Sequence, residues 1–208
     1  MSRWIVSLIA GAIGMGGPQA AEAEDGFAAR LVAAAMERLA HSVVYDGSYR
    51  QIDYPMGDVP DHVGVCTDLV VRAYRGVGID LQQAVHEDMR AAFDAYPRHW
   101  GLSAPDPNID HRRVPNLQAF FERNGTVVPV TSRATDYAAG DVVTWMLPGN
   151  LPHIGIVAER RSIDGARPLI VHNIGAGPAL DDILFEYEIT GHYRYRGGGG
   201  AARADPER

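Results

Sequence analysis

Helical periodicity occupies the first part of this chain, and short strand-like segments follow one another in the rest. Apolar residues recur at helical spacing over residues 26–40, after residue 65, from residue 81 and from residue 117. Segments rich in β-branched and aromatic residues then cover residues 126–130, 142–146, 154–158, 169–172 and 184–189. Helices followed by consecutive strands predict an α+β fold, in which an antiparallel sheet packs against N-terminal helices.

The length of 208 residues suits one globular domain. Arg3 precedes an apolar run over residues 4–15, and Ala21-Glu22-Ala23 offers the small-x-small pattern that signal peptidase cuts. We therefore expect a signal peptide over 1–23, a folded domain over 24–196 and a disordered, glycine-rich tail over 197–208. These features predict a periplasmic or secreted protein with no membrane span after cleavage.

The charge and composition of the chain exclude several classes of function. The 19 basic side chains are all arginines and stand against 26 acidic ones, which gives a net charge of -7. An acidic chain argues against nucleic acid as a partner. The lack of lysine excludes chemistry that needs a lysine amine, such as a pyridoxal Schiff base or a P-loop. We expect no cofactor, and the sequence leaves the oligomeric state open.

The single cysteine, Cys66, stands where a helical pattern begins, after an irregular stretch over residues 46–64. One cysteine cannot form an internal disulfide. The amides and the positive end of a helix N-terminus stabilise a thiolate and can bind an oxyanion, so this position predicts a lowered thiol pKa and a nucleophile. An inert buried cysteine and a bridge between subunits are the alternatives.

A thiol nucleophile needs a base, and histidine has a suitable pKa. His153 opens the strand-like segment 153–157, so a rigid element would hold its ring. The next strand ends in His172-Asn173. Because successive strand residues point to opposite faces, only one of His172 and Asn173 is expected to orient the ring of His153.

This order of motifs resembles the NlpC-type cell-wall peptidases, a branch of the papain-like cysteine peptidases. Within that clan, three segments resemble the family catalogued as domain of unknown function 1287: IDHRRVPN (109–116), HNIG (172–175) and GHYRY (191–195). The resemblance spans about residues 44–195 and implies a papain-like (NlpC-type) fold. It implies a nucleophile at Cys66, a base at His153 and an orienting residue at His172. The implied reaction is cleavage of an amide bond, most simply in peptidoglycan stem peptides, through an acyl-enzyme, with acyl transfer as a variant.

Further residues are candidates for oxyanion or substrate contact. The segment Tyr54-Pro55-Met56-Gly57 matches the clan's Tyr-x-x-Gly spacing, which implies that Tyr54 lies beside the nucleophile. The clan's Asp-Cys-Ser-Gly is here Val-Cys-Thr-Asp, so an acid stands two residues after the cysteine, where it also complements a helix dipole. Two adjacent arginines in the run before residue 114 could bind a substrate carboxylate, or the run could be a solvated loop. The candidates are Tyr54, Asp68, Asp110, His111, Arg112, Arg113 and Asn173.

Two other classes of function remain open at this stage. A zinc-dependent hydrolase could use His153 and His172 with His192, Asp181 or Asp182, although these spacings match no common zinc motif. A binding protein on the same scaffold could hold cell-wall fragments without turnover.

Overall fold

A computed structural model describes residues 18–198 of the chain. Its helices are α1 (Pro18–Glu37), α2 (Cys66–Gly76), α3 (Leu81–Ala91) and α4 (Val114–Asn124). Its strands are β1 (Val44–Tyr45), β2 (Val63–Gly64), β3 (Thr126–Val127), β4 (Val142–Leu147), β5 (Leu151–Arg161), β6 (Pro168–Asn173), β7 (Pro178–Asp181) and β8 (Glu188–Arg194). Short 3-10 turns cover Arg38–Ala40, Phe93–Ala95, Asp110–Arg112 and Ala134–Asp136.

The main sheet has the strand order β3-β8-β4-β5-β6-β7, and every neighbouring pair in it is antiparallel. Strands β1 and β2 form a separate parallel pair, in which Tyr45 lies opposite Gly64. The α+β prediction is confirmed. The long stretch between β1 and β2 is irregular, as the glycine and proline pattern predicts.

The two faces of the sheet bury different side chains. The face covered by the helices contributes Ile154 and Ile156 to a core that also contains Leu117 and the sulfur of Cys66. Alternation along each strand turns the neighbouring residues to the opposite face. There, a smaller cluster forms around Trp145, whose indole donates a hydrogen bond of 3.1 Å to the carbonyl of Leu184.

Two strand predictions differ from the structure, and one strand was not predicted. The predicted strand at 184–189 is wrong, because Ile183 and Leu184 belong to a turn and are apolar since they pack on the Trp145 cluster. The strand in this region is β8, which begins at Glu188. Strand β7 was not predicted, and β3 is shorter than expected. Short edge strands carry too few residues for a clear alternation, which explains both differences.

The chain termini are only partly described. The apolar run 4–15 of the predicted signal peptide and residues 199–208 of the predicted tail lie outside the described residues. The predicted cleavage motif, Ala21-Glu22-Ala23, falls within α1. Among the helices of residues 18–198, none has the length and apolar character needed to cross a bilayer.

Candidate functional site

Cys66 is the first residue of α2, and its sulfur lies against strand β5. The residue is only 3% exposed. Its sulfur accepts hydrogen bonds from the backbone amides of Ile154 and Thr67. The hydroxyl of Tyr45 also points to it, at 3.9 Å. The pairing of β1 with β2 explains this contact, because it places Tyr45 opposite Gly64, two residues before the cysteine.

A chain of hydrogen bonds connects two histidines and a carboxylate on the Trp145 side of the sheet. Nε2 of His153 lies 3.0 Å from Nδ1 of His172, and Nε2 of His172 lies 3.2 Å from Oδ2 of Asp181. A carboxylate only accepts, so Nε2 of His172 donates to it and Nδ1 accepts from His153. This assignment leaves Nδ1 of His153 as an unprotonated nitrogen that can take a proton.

The glycine of the His-x-Gly segment allows this close approach. A Cβ atom on Gly155 would come within 3.0 Å of the Val171 carbonyl oxygen and 3.1 Å of Cβ of His172. Gly155 pairs directly with His172 across β5 and β6. Any larger residue would therefore separate the two strands at the point where the histidine rings meet.

The sulfur contacts strand β5 one residue after the position that carries the imidazole. Ile154, whose amide bonds the sulfur, directly follows His153. The ring of His153 lies on the Trp145 side of the sheet, with 6.0 Å between the ring centroids. Within residues 18–198, no hydrogen bond joins the sulfur directly to the imidazole. Because Cys66 lies in the core on the helix-covered side, proton transfer between the two groups requires a rearrangement of β5 that brings them to one side of the sheet.

Burial keeps both groups neutral at rest. It raises the pKa of the Cys66 thiol to about 11, and the hydrogen bonds to the sulfur offset only part of this effect. Burial, together with the neighbouring His172, lowers the pKa of His153 to about 3. Burial also lowers the pKa of His172, against the opposing charge of Asp181. The sequence-based prediction of a lowered thiol pKa is therefore wrong for this state, because desolvation outweighs the helix N-terminus.

Alkylation of the thiol tests this neutral state. Because its pKa is raised, iodoacetamide should modify Cys66 of the folded protein at pH 8 at least about tenfold more slowly than in urea-unfolded protein. The folded rate should rise with pH beyond about 8.5, the ordinary thiol value. Intact mass measures the modification directly, since the chain has one cysteine. A folded-state inflection at or below about 8.5 would contradict the burial argument.

Asp68 and Arg112 form a buried ion pair instead of a substrate contact. Nε and Nη2 of Arg112 lie 2.8 and 3.0 Å from the two carboxylate oxygens of Asp68. The arginine also donates to the carbonyls of Ser48 and Asp46. Oδ2 of Asp68 accepts from the Val65 amide at 2.7 Å. The predicted substrate roles of both residues are therefore corrected, because the pair holds the loop after β1 against the start of α2.

The neighbouring polar residues are also used internally. Asp110 is buried, and burial raises its pKa, while Arg113 pairs with it at 3.2 Å. The guanidinium of Arg113 stacks 4.0 Å above the ring of Trp100. His111 is 3% exposed, and burial lowers its pKa to about 4. The expected pair of adjacent arginines for a carboxylate is thus not formed, because Arg112 and Arg113 have separate partners.

Tyr54 does not occupy the position that the Tyr-x-x-Gly spacing implied. Its ring packs edge-on against His86 of α3, with 4.9 Å between the centroids. The tyrosine hydroxyl that contacts the nucleophile candidate belongs to Tyr45. The spacing of residues along an irregular loop does not determine which of its side chains contacts the cysteine at the start of α2. The pairing of β1 with β2 determines it, and two-residue strands give no clear signal in the sequence.

The structure separates the two candidates for orienting the base. His172 contacts His153, whereas Asn173 points to the other side of β6, where its amide donates to the Gly64 carbonyl at 3.5 Å. Strand alternation explains why only one of them meets the base. Sequence reasoning missed Asp181 in this chain of hydrogen bonds, since it considered that residue only as a possible metal ligand.

His192 lies in a separate buried cluster. Its Nε2 is 2.6 Å from Asp141, and its ring stacks on Tyr137 with 4.3 Å between the centroids. Within the part of the chain that the structure describes, no three His, Cys, Asp or Glu side chains converge as a metal site would require. The nitrogens of His153 and His172 bond in series, and do not point to one centre.

Comparison with known proteins places the chain in a family. The family model described as "Domain of unknown function (DUF1287)" matches residues 32–195. The chain belongs to the DUF1287 family. A relative in Escherichia coli (strain K12), "Uncharacterized protein YijF", is 48% identical over 161 residues, which cover 77% of this chain and 78% of the relative. The match to the DUF1287 model includes every residue of the candidate site from Tyr45 to Asp181.

Proposed function

We propose that this protein is a cysteine hydrolase that cleaves an amide bond through a thioester intermediate. The observation that carries the proposal is the chain of hydrogen bonds from Asp181 through His172 to His153, which directly precedes the residue whose amide bonds the thiol at the start of α2. A nucleophile, a base and a group that orients the base are the parts that this reaction class needs. The resemblance to NlpC-type peptidases supports a papain-like fold.

The proposed reaction begins from the neutral thiol and the neutral imidazole. Once a rearrangement of β5 has brought the imidazole to the sulfur, the Cys66 sulfur attacks the carbonyl carbon as the thiol proton passes to Nδ1 of His153. The resulting imidazolium protonates the leaving amine, the C–N bond breaks and the thioester remains. Water then attacks the thioester as His153 takes a proton from it. The C–S bond breaks, the imidazolium gives that proton to the sulfur, and the acid is released. His172 and Asp181 hold the ring in the tautomer that both steps use.

Hydrogen-bond donors that would stabilise the oxyanion lie near the sulfur. The first amides of α2 have no partners within the helix, and the positive end of its dipole lies at Cys66. The Tyr45 hydroxyl, at 3.9 Å from the sulfur, is a second donor in this region. Such donors stabilise negative charge as it develops on the carbonyl oxygen.

The substrate class proposed is the peptide part of peptidoglycan, in the periplasm or outside the cell. This part of the proposal rests on the resemblance to cell-wall peptidases and on the predicted signal peptide. Acyl transfer to an amine would use the same thioester, with the amine in place of water.

Digestion of purified peptidoglycan tests the proposed function. Wild type should release fragments with new amine and carboxyl termini at one linkage, identified by mass spectrometry. Cys66→Ser should produce none of them, because a serine hydroxyl is a much weaker nucleophile with this base. Equal amounts of product from wild type and Cys66→Ser would show that Cys66 is not the nucleophile.

One observation favours a binding protein as the second candidate. The sulfur is nearly inaccessible, at 3% exposure for the residue, and its pKa is raised to about 11. A protein of this kind would retain peptidoglycan fragments without changing them. Fragments recovered intact after long incubation with wild type, at a concentration where they bind, would select this candidate over the hydrolase.

A further inference from the structure

Tyr45 lies between the candidate nucleophile and solvent. The backbone amides that bond the Cys66 sulfur belong to Thr67 and Ile154, which have no exposed surface. The tyrosine hydroxyl, at 3.9 Å from the same sulfur, belongs to a residue that is 43% exposed. Among these neighbours of the sulfur, only Tyr45 reaches the surface of the protein. The route from solvent to the sulfur that these contacts define therefore passes the ring of Tyr45.

The strand that carries this tyrosine, β1, has few contacts of its own. It consists of two residues, and both side chains are exposed, that of Val44 more than that of the tyrosine. The amides of Val44 and Asp46 donate hydrogen bonds of 2.8 and 3.3 Å to the carbonyls of His62 and Gly64. Segments with few buried contacts and solvent-exposed backbone hydrogen bonds open at a lower free energy than the whole fold. Strand β1 can therefore move while the helices and the main sheet stay folded.

The segments on either side of β1 have fixed contacts. Before the strand, Gly177 lies against the backbone of Val43, since a Cβ atom on this glycine would be 3.5 Å from the Val43 carbonyl oxygen. After the strand, the buried guanidinium of Arg112 donates hydrogen bonds of 3.0 Å to the carbonyls of Asp46 and Ser48. These contacts limit a movement of the segment to its middle, where the tyrosine covers the sulfur.

We propose that β1 is a lid over the thiol, in which the ring of Tyr45 keeps other molecules away from the Cys66 sulfur until the strand moves outward. The resting protein is closed, and opening of the lid precedes any reaction of the sulfur. A small outward shift of the tyrosine admits a carbonyl group and leaves the hydroxyl within reach of the carbonyl oxygen. The inference goes beyond the proposed function, because the lid controls access for any molecule that reacts at the thiol.

Alkylation of two variants at one position tests the lid. Tyr45→Ala removes the ring, so Cys66 of the folded variant should react with iodoacetamide at pH 8 at least about fivefold faster than in wild type. Tyr45→Phe keeps the ring and removes only the hydroxyl, so its rate should not exceed about twice that of wild type. Tyr49→Ala makes the same change at an exposed tyrosine of the following loop and should leave the rate unchanged. Circular dichroism confirms that each variant is folded.

A bulky maleimide separates access to the sulfur from its ionisation. A change in ionisation alone would speed the reactions with iodoacetamide and with the maleimide equally, whereas removal of a lid should speed the bulky reagent more. Equal increases for the two reagents would overturn the inference. A wild-type rate for Tyr45→Ala, or a rate for Tyr45→Phe as high as that for Tyr45→Ala, would do the same.

Hydrogen exchange on wild type measures the movement without a variant. The amides of Val44 and Asp46 should be at least about tenfold less protected than those of the central strand β5, because they open with the lid. Equal protection would mean that β1 opens only with the main sheet, which would also overturn the inference. Neither measurement needs amide cleavage. A confirmed lid without digestion of peptidoglycan would refute only the proposed hydrolase, and digestion without a lid would refute only this inference.

Discussion

Replacement of His153 by glutamine should lower the rate of amide cleavage about 10² to 10⁴-fold, the range for loss of a general base. Glutamine approximates the size of the ring but cannot take and return the proton of the Cys66 thiol. His62→Gln is the matched control, because His62 is an exposed histidine in the loop before α2. Its rate should stay within about twofold of wild type, because it makes the same chemical change away from the reacting groups.

The pH dependence of the rate is a second test of His153 as the base. Because burial lowers the pKa of His153 to about 3, its imidazole stays unprotonated well below the ordinary histidine value of about 6.5. The rate should therefore not fall between about pH 7 and pH 5. An acid limb centred near 6.5, or a rate unaffected by His153→Gln, would contradict the assigned base.

Asp68→Ala should lower the free energy of unfolding by about 3–5 kcal/mol, which is typical when one partner of a buried ion pair is removed. The remaining guanidinium of Arg112 would be buried with no opposite charge, and the Val65 amide would lose its acceptor. Urea unfolding followed by circular dichroism measures the change. Asp182→Ala removes one of the two acidic partners of Arg167 at the surface and should change stability by no more than about 1 kcal/mol.

A double-variant cycle measures the interaction between Asp68 and Arg112 separately from their contacts with other residues. Arg112→Met combined with Asp68→Ala should lose much less stability than the sum of the two single changes, because no unpaired charge remains buried. Additive losses, or a loss below about 1 kcal/mol for Asp68→Ala alone, would mean that the pair does not hold the loop after β1 against α2.

Local sequence patterns predicted the parts of this protein that depend on local physics. Periodicities of about 3.6 and 2 residues are properties of short segments, so the order of helices and strands was predictable. The position of Cys66 at a helix start followed from the end of the irregular loop and the beginning of an apolar stripe. The turn at Ile183 and Leu184 was mistaken for a strand, because tertiary packing on Trp145 gives a turn the same apolar composition.

Contacts between distant segments were not predictable in the same way. Asp68 and Arg112 are 44 positions apart, and nothing in either local segment reveals that they pair. The pKa of Cys66 depends on how much water reaches the sulfur, which the helix start alone does not determine. Tyr45 reaches the sulfur through a parallel pairing of two-residue strands, and such pairs leave almost no pattern in a sequence.

The mass of the protein during turnover shows whether Cys66 carries the acyl group. When wild type is mixed with peptidoglycan peptides and quenched in acid, we expect a chain heavier by the acyl fragment, with the added mass on Cys66. Hydroxylamine should remove that mass, because a thioester reacts with it. Product formation without any adduct on Cys66, or an adduct on another residue, would mean that Cys66 is not the nucleophile.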